Sequence, residues 1–280
     1  MKFNTHKKKP TLQYFLVTLI ISIFALSCQY CNPTNADNKV DNRSAKDSSK
    51  SKSVVAKKDT ISKAHLLGKI TPSKDTNFAA IDAKYAAKSG NYMRKEAYAA
   101  FIKMFNAAKK DGITLCILSS TRTFWEQKGI WEGKWTGRSL YYGKNIATSY
   151  PDPVERSKYV LKYSSMPGTS RHHWGTDIDM NSMELAYYKT ETGEKFYNWL
   201  TKNAAVYGFY QPYTAKDSAR TSGYEEEKWH WSYLPLSSEF IKQYKERITY
   251  NDLKGFEGYE TAVKIDVIKN YVLSVNSKCK

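Results

Sequence analysis

Cysteine is scarce in this sequence, and its distribution excludes a disulfide framework. Only four of the 280 residues are cysteines, and two of them, Cys28 and Cys31, lie near the amino terminus. The body of the chain retains Cys116 and Cys279. Cys116 lies within the apolar run ITLCILS, where a buried thiol is the ordinary expectation. The fold is therefore not that of a small secreted domain stapled by disulfides.

Several binding signatures are also missing. The chain has no Gly-rich phosphate loop and no strand-helix-strand rhythm, which argues against a doubly wound nucleotide-binding fold. Its lysines are scattered and no nucleic-acid motif accompanies them, so we expect no nucleic-acid partner. We find no internal repeat and no second domain boundary after about residue 65, and one domain is therefore predicted.

The first 27 residues have the pattern of an export signal. The basic stretch MKFNTHKKKP precedes the apolar run TLQYFLVTLIISIFALS, which ends in small residues just before Cys28. The run is short for a membrane span of roughly 20 residues, and a plain N-terminal anchor is the alternative. Ser27-Cys28 resembles the lipobox of bacterial lipoproteins, with Ala25 where leucine is more common. This resemblance implies lipidation of Cys28 and a membrane-anchored lipoprotein in the bacterial cell envelope, facing the periplasm or the exterior.

Residues 28–64 are predicted to form a disordered tether. They are mostly Asn, Asp, Ser, Lys and Thr, and such a segment cannot bury enough apolar surface to offset the entropy of ordering. A flexible spacer would let the following domain, residues 65–280, search the space near a membrane. The net charge of +17 would fall to +13 if the four lysines of the first nine residues were removed. That surplus favours anionic surroundings such as lipid head groups or carboxylate-rich polymers.

The body of the chain mixes helices and strands, which predicts an α+β fold. From Met93 to Lys110, apolar residues recur at helical spacing before Asp111-Gly112 ends the run. In chain order, the predicted elements are a helix over 93–110, a strand in ITLCILS, a helix in SSTRTFWEQKGIWEGKW, a strand over 176–180, a helix over 193–207, a strand over 228–234, a helix over 237–248 and an edge strand in VIKNYVLSV.

Two connections are candidates for functional roles. Arg122 lies at the junction between the strand ITLCILS and the helix that follows it, and scaffolds present reactive groups at such strand ends. A structural ion pair with a carboxylate is the alternative for Arg122. The long connection over residues 133–169 carries Tyr141, Tyr142 and Tyr150. Long loops in compact domains are usually functional or disordered, and the aromatic content favours an ordered wall over a site.

Histidine is also scarce, and its positions indicate a metal site. The chain has five histidines, and the three other than His6 and His65 fall in two short segments, SRHHWGTDID and EEEKWHWSY. A hydrolytic zinc site needs about three nitrogen or oxygen ligands, an open position for water and a nearby carboxylate that is not a ligand. The two segments together supply all of these.

Spacing alone does not select the ligands. Either His172 or His173 could bind a metal, and so could either Asp177 or Asp179, because strand alternation points both aspartates to one face. A single buried histidine is more often a hydrogen-bonded core residue than a ligand. The case for a site therefore depends on the two segments taken together.

The second segment requires a break in the strand. Glu227 and His230, three residues apart, would face opposite ways in an unbroken strand. We therefore expect Glu227 on the loop that enters the strand, from which it could reach the metal. A solvated acidic turn is the alternative for residues 225–227.

The frames Ser170-x-His172-x-x-Gly175-x-x-x-Asp179 and Glu227-x-Trp229-His230-x-x-Tyr233 resemble the zinc-binding signatures of the VanY-like D-alanyl-D-alanine carboxypeptidases. These belong to a wider group of metallopeptidases that includes lysostaphin and the hedgehog signalling domain. The resemblance implies a single domain with a small antiparallel sheet flanked by helices. It also implies that His172, Asp179 and His230 bind Zn2+ and that Glu227 is the catalytic base. His173 and Asp177 fall at variable positions, Asp177 where the family more often has a small residue.

A further likeness lies upstream. Ser120-Thr121-Arg122-Thr123 followed by Gln127 resembles the family's Ser-x-Arg-Ser segment ahead of a glutamine. The resemblance implies that Arg122 contacts substrate and assists catalysis, and that Gln127 and Ser170 bind substrate. It covers roughly residues 93–233.

The resemblance implies a monomeric zinc metallopeptidase that trims the stem peptides of peptidoglycan as a D-alanyl-D-alanine carboxypeptidase. The same zinc site could instead serve L,D-carboxypeptidase or cross-link endopeptidase activity. A peptidoglycan-binding module with structural zinc is the alternative outside enzymes, against which Glu227 and Arg122 argue, because a structural site needs no adjacent unbonded carboxylate.

Overall fold

A four-stranded antiparallel sheet organises the fold. The computed structural model of the protein describes residues 61–280. Its strands are β1 (Phe78–Ala80), β2 (Tyr92–Arg94), β3 (Ile117–Ser119), β4 (Asp177–Met180), β5 (Phe209–Tyr210) and β6 (His230–Tyr233). The larger sheet has the order β3-β4-β6-β5, and β1 pairs with β2 in a separate two-stranded sheet. All neighbouring strands are antiparallel, which confirms the predicted α+β class with a small antiparallel sheet.

Helices flank the sheet and follow most of the predicted spans. They are α1 (Lys63–Leu66), α2 (Lys95–Lys110), α3 (Phe124–Trp135), α4 (Ile146–Ser149), α5 (Pro153–Val160), α6 (Glu191–Asn203), α7 (Leu234–Arg247) and α8 (Thr261–Lys264). Helix α2 buries Ala97, Phe101, Met104 and Ala108, the spacing that places side chains on one helix face. Helix α3 begins with a capping box between Thr123 and Glu126, which fixes its start directly after Arg122.

The alternation of β4 separates the core from the polar face of the sheet. Ile178 and Met180 are buried in an apolar cluster with residues of α2 and α6, while Asp177 and Asp179 point to the opposite face. A second cluster, built largely from α3, α5 and α7, includes Trp174. The polar residues of β4 and the segment around Trp174 therefore meet between two apolar clusters.

Two expectations differ from the structure. Residues 61–64, placed at the end of the tether, belong to the folded part: Ile61 is buried, and Lys63 starts α1 and pairs with Asp252 at 2.8 Å. The predicted edge strand in VIKNYVLSV is wrong, because Ile268–Val272 form a π-helix. The signal peptide, the lipidation of Cys28 and the rest of the tether lie outside the described residues. Within residues 61–280, no helix is both long and apolar enough to cross a membrane.

Candidate metal centre

His172 is held by a short helical turn that ends at a required glycine. The turn, Arg171–Trp174, is a 3-10 helix whose N-cap Ser170 accepts a hydrogen bond from the His172 backbone nitrogen at 3.3 Å. Gly175 ends it with φ of 75°, a left-handed conformation that favours glycine. A Cβ at Gly175 would lie 2.4 Å from Phe78 Cε1. Both the backbone angle and the packing therefore explain the glycine of the first frame.

One nitrogen of His172 is engaged and the other faces the site. Nδ1 donates to the backbone oxygen of Ser120 at 2.8 Å. Nε2 lies 3.2 Å from Asp179 Oδ2 without making a hydrogen bond. The bond to Ser120 therefore selects Nε2 as the atom available to a metal.

Strand pairing brings His230 beside Asp179. The register pairs Asp179 with His230 and Asp177 with Ser232. His230 Nδ1 lies 3.5 Å from Asp179 Oδ1, and its Nε2 donates to Asp177 Oδ2 at 2.8 Å. His230 therefore presents Nδ1 to the site, with Nε2 held by a carboxylate behind it.

The three side chains fit a divalent metal such as zinc. One ligand atom each from His172, Asp179 and His230 lie within 4.8 Å of one another, a separation that two zinc-ligand bonds of about 2.0–2.2 Å can nearly span. Of the polar atoms in residues 61–280, His172 Nε2 and Asp179 Oδ1 are among the few that are buried without a hydrogen-bond partner. Buried polar atoms ordinarily have partners, and two imidazoles with one carboxylate are a donor set that zinc accepts in open sites.

The protonation states of two candidate ligands suit a metal, whereas the third must lose a proton. Burial lowers the pKa of His172, and the Arg122 cation lowers it further. Burial would raise the pKa of Asp179, but His172, His230 and Arg122 hold it at about 2. Burial would lower the pKa of His230, but hydrogen bonds to Asp177 and Glu227 raise it to about 9. Metal binding at His230 Nδ1 would therefore release a proton.

Asp177 joins the site in a role that sequence reasoning missed. Its carboxylate is fully buried and accepts from Arg171 Nε at 2.9 Å, Ser232 Oγ at 2.8 Å and Thr176 Oγ1 at 2.7 Å, in addition to His230. Burial opposes its charge, but Arg171 and His230 hold its pKa well below the usual range. A carboxylate that fixes a ligand histidine is a common second layer of metal sites. The sequence feature that could have indicated this role is the strand alternation that places Asp177 on the same face as Asp179.

Glu227 lies before β6, as predicted, and its side chain reaches the site. Its Oε2 lies 3.0 Å from His230 Nδ1, and the side chain is buried while still lining the cleft. Burial is the largest influence on its carboxyl and raises its pKa, while the positive charges of His230 and Arg122 act in the opposite direction. A raised pKa suits a group that takes up a proton and later releases it.

Arg122 lines the cleft and is oriented from behind by Gln127. Arg122 Nη1 donates to Gln127 Oε1 at 3.0 Å, and Gln127 Nε2 donates to the Ser165 backbone oxygen at 2.7 Å. Arg122 Nη2 lies 3.8 Å from Asp179 Oδ2. Gln127 is fully buried and does not line the cleft, so the structure places it behind Arg122 and not against a substrate.

Two other residues of the first frame lie outside the cleft. Ser170 is buried as the N-cap described above and does not line the cleft, so its position does not favour the expected substrate contact. His173 is fully buried. Its Nδ1 donates to the Arg122 backbone oxygen at 2.6 Å, and its Nε2 accepts from the Gly168 backbone nitrogen at 3.0 Å. Of the two adjacent histidines, His172 therefore faces the metal centre and His173 links segments around it.

The candidate metal centre opens into a large cleft. The cleft has a volume of about 1310 Å³ and is lined by His172, Asp179, His230, Glu227 and Arg122 together with residues of several loops. The connection over residues 133–169 contributes Ser139, Tyr141, Tyr142, Tyr163, Ser164 and Ser165 to its wall. This confirms the expected ordered wall, although Tyr150 is not part of it.

The sequence profile of the VanY family, described as D-alanyl-D-alanine carboxypeptidase, matches residues 90–236, just over half of the chain. The chain belongs to the VanY family. The match covers the Arg122 segment, both frames and helix α2. For this VanY-family chain the resemblance found in the sequence is thus confirmed.

Curated relatives carry the same family name or a related one. The chain is 30% identical over 135 residues to a D-alanyl-D-alanine carboxypeptidase of Enterococcus faecalis, covering 48% of this chain and 46% of that protein. It is 31% identical over 180 residues to the putative carboxypeptidase YodJ of Bacillus subtilis, covering 62% and 56%. The chain thus spans about half the length of these relatives. A solved mutant of the vancomycin-resistance D,D-pentapeptidase VanY in complex with Zn(II) is 22% identical, with a TM-score of 0.43 over 65% of this chain and 93% of that one.

Proposed function

We propose that this protein is a zinc-dependent D-alanyl-D-alanine carboxypeptidase that acts on peptidoglycan stem peptides. The observation that carries the proposal is the convergence in one cleft of three candidate ligands, a buried carboxylate and an arginine, in a chain of the VanY family. A zinc ion held by His172, Asp179 and His230 would lower the pKa of a water molecule and polarise the scissile carbonyl.

Glu227 and Arg122 would perform the remaining steps. Glu227 Oε2 would take the proton of the attacking water and return it to the leaving amine. Arg122 is a planar cation fixed by Gln127, and it would hold the terminal carboxylate of the peptide through paired hydrogen bonds or stabilise the developing negative charge on the carbonyl oxygen. Both roles use charge at positions that the fold sets before substrate arrives.

The substrate class agrees with the charge of the chain. Stem peptides of peptidoglycan are rich in carboxylates, and the chain carries a formal net charge of +17, or +13 without the four lysines of the first nine residues. A positive field raises the local concentration of anionic substrates.

We further propose that Cys28 carries a lipid anchor that holds the domain near peptidoglycan. Loss of fatty-acid labelling in Cys28→Ser is the expected result that tests this proposal.

The decisive experiment is mass spectrometry of purified stem peptides after incubation with the zinc-loaded protein. A pentapeptide, a tetrapeptide and a cross-linked dimer are incubated with and without a chelator. Loss of one terminal D-alanine from the pentapeptide, prevented by the chelator, is the expected result. Loss only from the tetrapeptide would assign L,D-carboxypeptidase activity, and cleavage only of the dimer would assign endopeptidase activity. No cleavage at all would favour a binding module and overturn the proposal.

A further inference from the structure

Besides Arg122, two lysines line the cleft, the exposed Lys88 and the partly buried Lys134. Lys134 is on α3, seven residues after Gln127, so the two are separated by two helical turns on one face. Lys134 lines the same cleft as Arg122 and Glu227. Its amine lies 4.4 Å from the centroid of the Tyr141 ring.

Lys134 differs in its surroundings from Lys128 of the same helix. Lys128, on the same helix, pairs with Glu132. Among residues 61–280, no carboxylate lies within ion-pair distance of the Lys134 amine. Burial and, to a smaller extent, the Arg122 cation lower the pKa of Lys134 to about 8, against an opposing effect of Glu227. A partly buried amine with no carboxylate at ion-pair distance favours the binding of an anion, because an anion would recover part of its lost solvation.

We propose that Lys134 binds a second carboxylate of the substrate, upstream of the scissile bond, while Arg122 serves the reacting end. This inference rests on the proposed function and names a subsite of that same cleft. The Lys134 amine lies over the face of the Tyr141 ring, and this cation–π contact stabilises the amine in its charged form. The cleft would therefore select peptides that carry an acidic group at a fixed distance from the cleaved bond.

Because Arg122 Nη1 lies 3.0 Å from Gln127 Oε1, the helical rise from Gln127 to Lys134 gives an approximate separation between the Arg122 and Lys134 side chains. Seven residues of α-helix rise about 10 Å, and an extended peptide advances about 3.3 Å per residue. A carboxylate at Lys134 would thus lie about three residues from a terminal carboxylate at Arg122. In a pentapeptide that ends in D-alanyl-D-alanine, this is the second residue.

The test uses two pentapeptides that differ in one group. Both end in D-alanyl-D-alanine and contain a γ-linked glutamate at the second residue, with its α-carboxyl either free or converted to the carboxamide. We expect zinc-loaded protein to show a KM about tenfold lower for the free acid. Lys134→Met should raise that KM to the value for the amide and leave the amide's KM and both kcat values unchanged, whereas Lys134→Arg should restore much of the preference.

Lys128→Met is the matched control, since it removes a lysine of the same helix outside the cleft lining, and it should keep the wild-type preference. Equal KM values for both peptides in the wild type, or an equal rise in KM for both peptides in Lys134→Met, would overturn the inference and leave Lys134 a packing residue on Tyr141.

Dissociation constants for both peptides, measured in the Glu227→Gln background, separate the inference about Lys134 from the proposed function. If the wild type cleaves neither peptide, the proposed function fails. The subsite is still tested, because a tenfold difference between the dissociation constants of the two peptides, abolished by Lys134→Met, would support binding of the carboxylate at Lys134.

Discussion

At the scale of single residues, the candidate ligand histidines are distinguished by what lies behind them. The His172 ring is held by a backbone oxygen, that of Ser120, whereas the His230 ring is held by the buried carboxylate of Asp177. A carboxylate behind an imidazole orients the ring and increases its basicity as a ligand. Asp177 should therefore strengthen metal binding at His230 without contacting the metal.

Removal of Asp177 should weaken zinc affinity about 10-fold to 100-fold. Because Asp177→Ala alone would leave the buried Arg171 cation without its partner, which is strongly destabilising, the variant to use is Arg171→Met with Asp177→Ala. Zinc dissociation constants are measured by chelator competition, and thermal unfolding of the metal-free proteins confirms that the variant folds. Arg171→Met alone is the control for the loss of the cation. Equal zinc affinity in the double variant and the wild type would show that Asp177 only supports the fold.

Glu227→Gln should abolish turnover and leave zinc affinity within a few-fold of wild type, because the amide cannot accept a proton from water. The neighbouring Glu226→Gln is the control, since Glu226 does not line the cleft. Metal content and stem-peptide hydrolysis are measured on the same samples. Loss of zinc from Glu227→Gln would make Glu227 a ligand and contradict its assignment as a base.

At the scale of elements, His173 connects the turn that carries His172 to the segments around Arg122 and Gly168. Burial lowers the pKa of His173 to about 3, with the Arg122 cation contributing in the same direction and the hydrogen bond to the Arg122 backbone opposing it. The ring is therefore neutral in the folded protein at neutral pH. Protonation at Nε2 would eliminate the acceptor that Gly168 uses.

This shift predicts acid sensitivity of the metal-free protein. The folded pKa of about 3 lies below the unfolded value of about 6.5, so the unfolded chain binds more protons at mildly acidic pH. The stabilising contribution is complete above about pH 6.5 and declines as the pH falls toward about 3. Urea unfolding between pH 7 and 5 should show this decline. His172 contributes in the same direction, whereas His230, with its pKa raised to about 9, contributes in the opposite one. His173→Asn should therefore reduce the loss of stability on acidification without eliminating it; an unchanged pH dependence would exclude His173 as a source.

The elements also show where sequence reasoning succeeds. Helix α2 and strand β4 were predictable because apolar residues repeat at one clear period in each. The segment VIKNYVLSV was misread because a short run rich in β-branched residues favours a strand. Its buried and partly buried residues Ile268, Val272 and Val275 are spaced four and three apart, which suits a helix. Packing of these side chains against the core therefore favoured the helical period over the strand period.

In the candidate site too, some features could be predicted from the sequence and others could not. The two histidine-bearing segments indicated a metal site because metal chemistry constrains residue type. The choice of individual ligands and of Glu227 came from the resemblance to the VanY-like family, since spacing alone left the ligands open. The capping role of Ser170 and the position of Gln127 behind Arg122 depend on which side of a turn or helix faces the cleft, and spacing alone does not report that. The pairing of β4 with β6, which brings Asp177 beside His230, is a contact between segments more than 50 residues apart and required the structure.

At the scale of the whole molecule, exposed apolar side chains are concentrated at the cleft. Of the nine large hydrophobic residues that are exposed within residues 61–280, five line it: Trp125, Ile130, Tyr142, Met183 and Leu185. Single exposed apolar residues need no explanation, but a group around one concave site marks a binding surface. A substrate larger than a dipeptide would cover these side chains as it extends out of the metal centre.

Trp125→Ala should therefore impair long substrates and spare short ones. Trp125 is 64% exposed, so its removal leaves the core intact, and the lost contact should raise KM for a disaccharide-pentapeptide about threefold to tenfold. The KM for a short acylated D-alanyl-D-alanine peptide and both kcat values should not change. Val206→Ala, at a side chain that is 81% exposed and outside the cleft, is the control. An equal rise in KM for short and long substrates would place Trp125 next to the scissile bond. No change in KM for either substrate would show that the longer substrate does not contact Trp125.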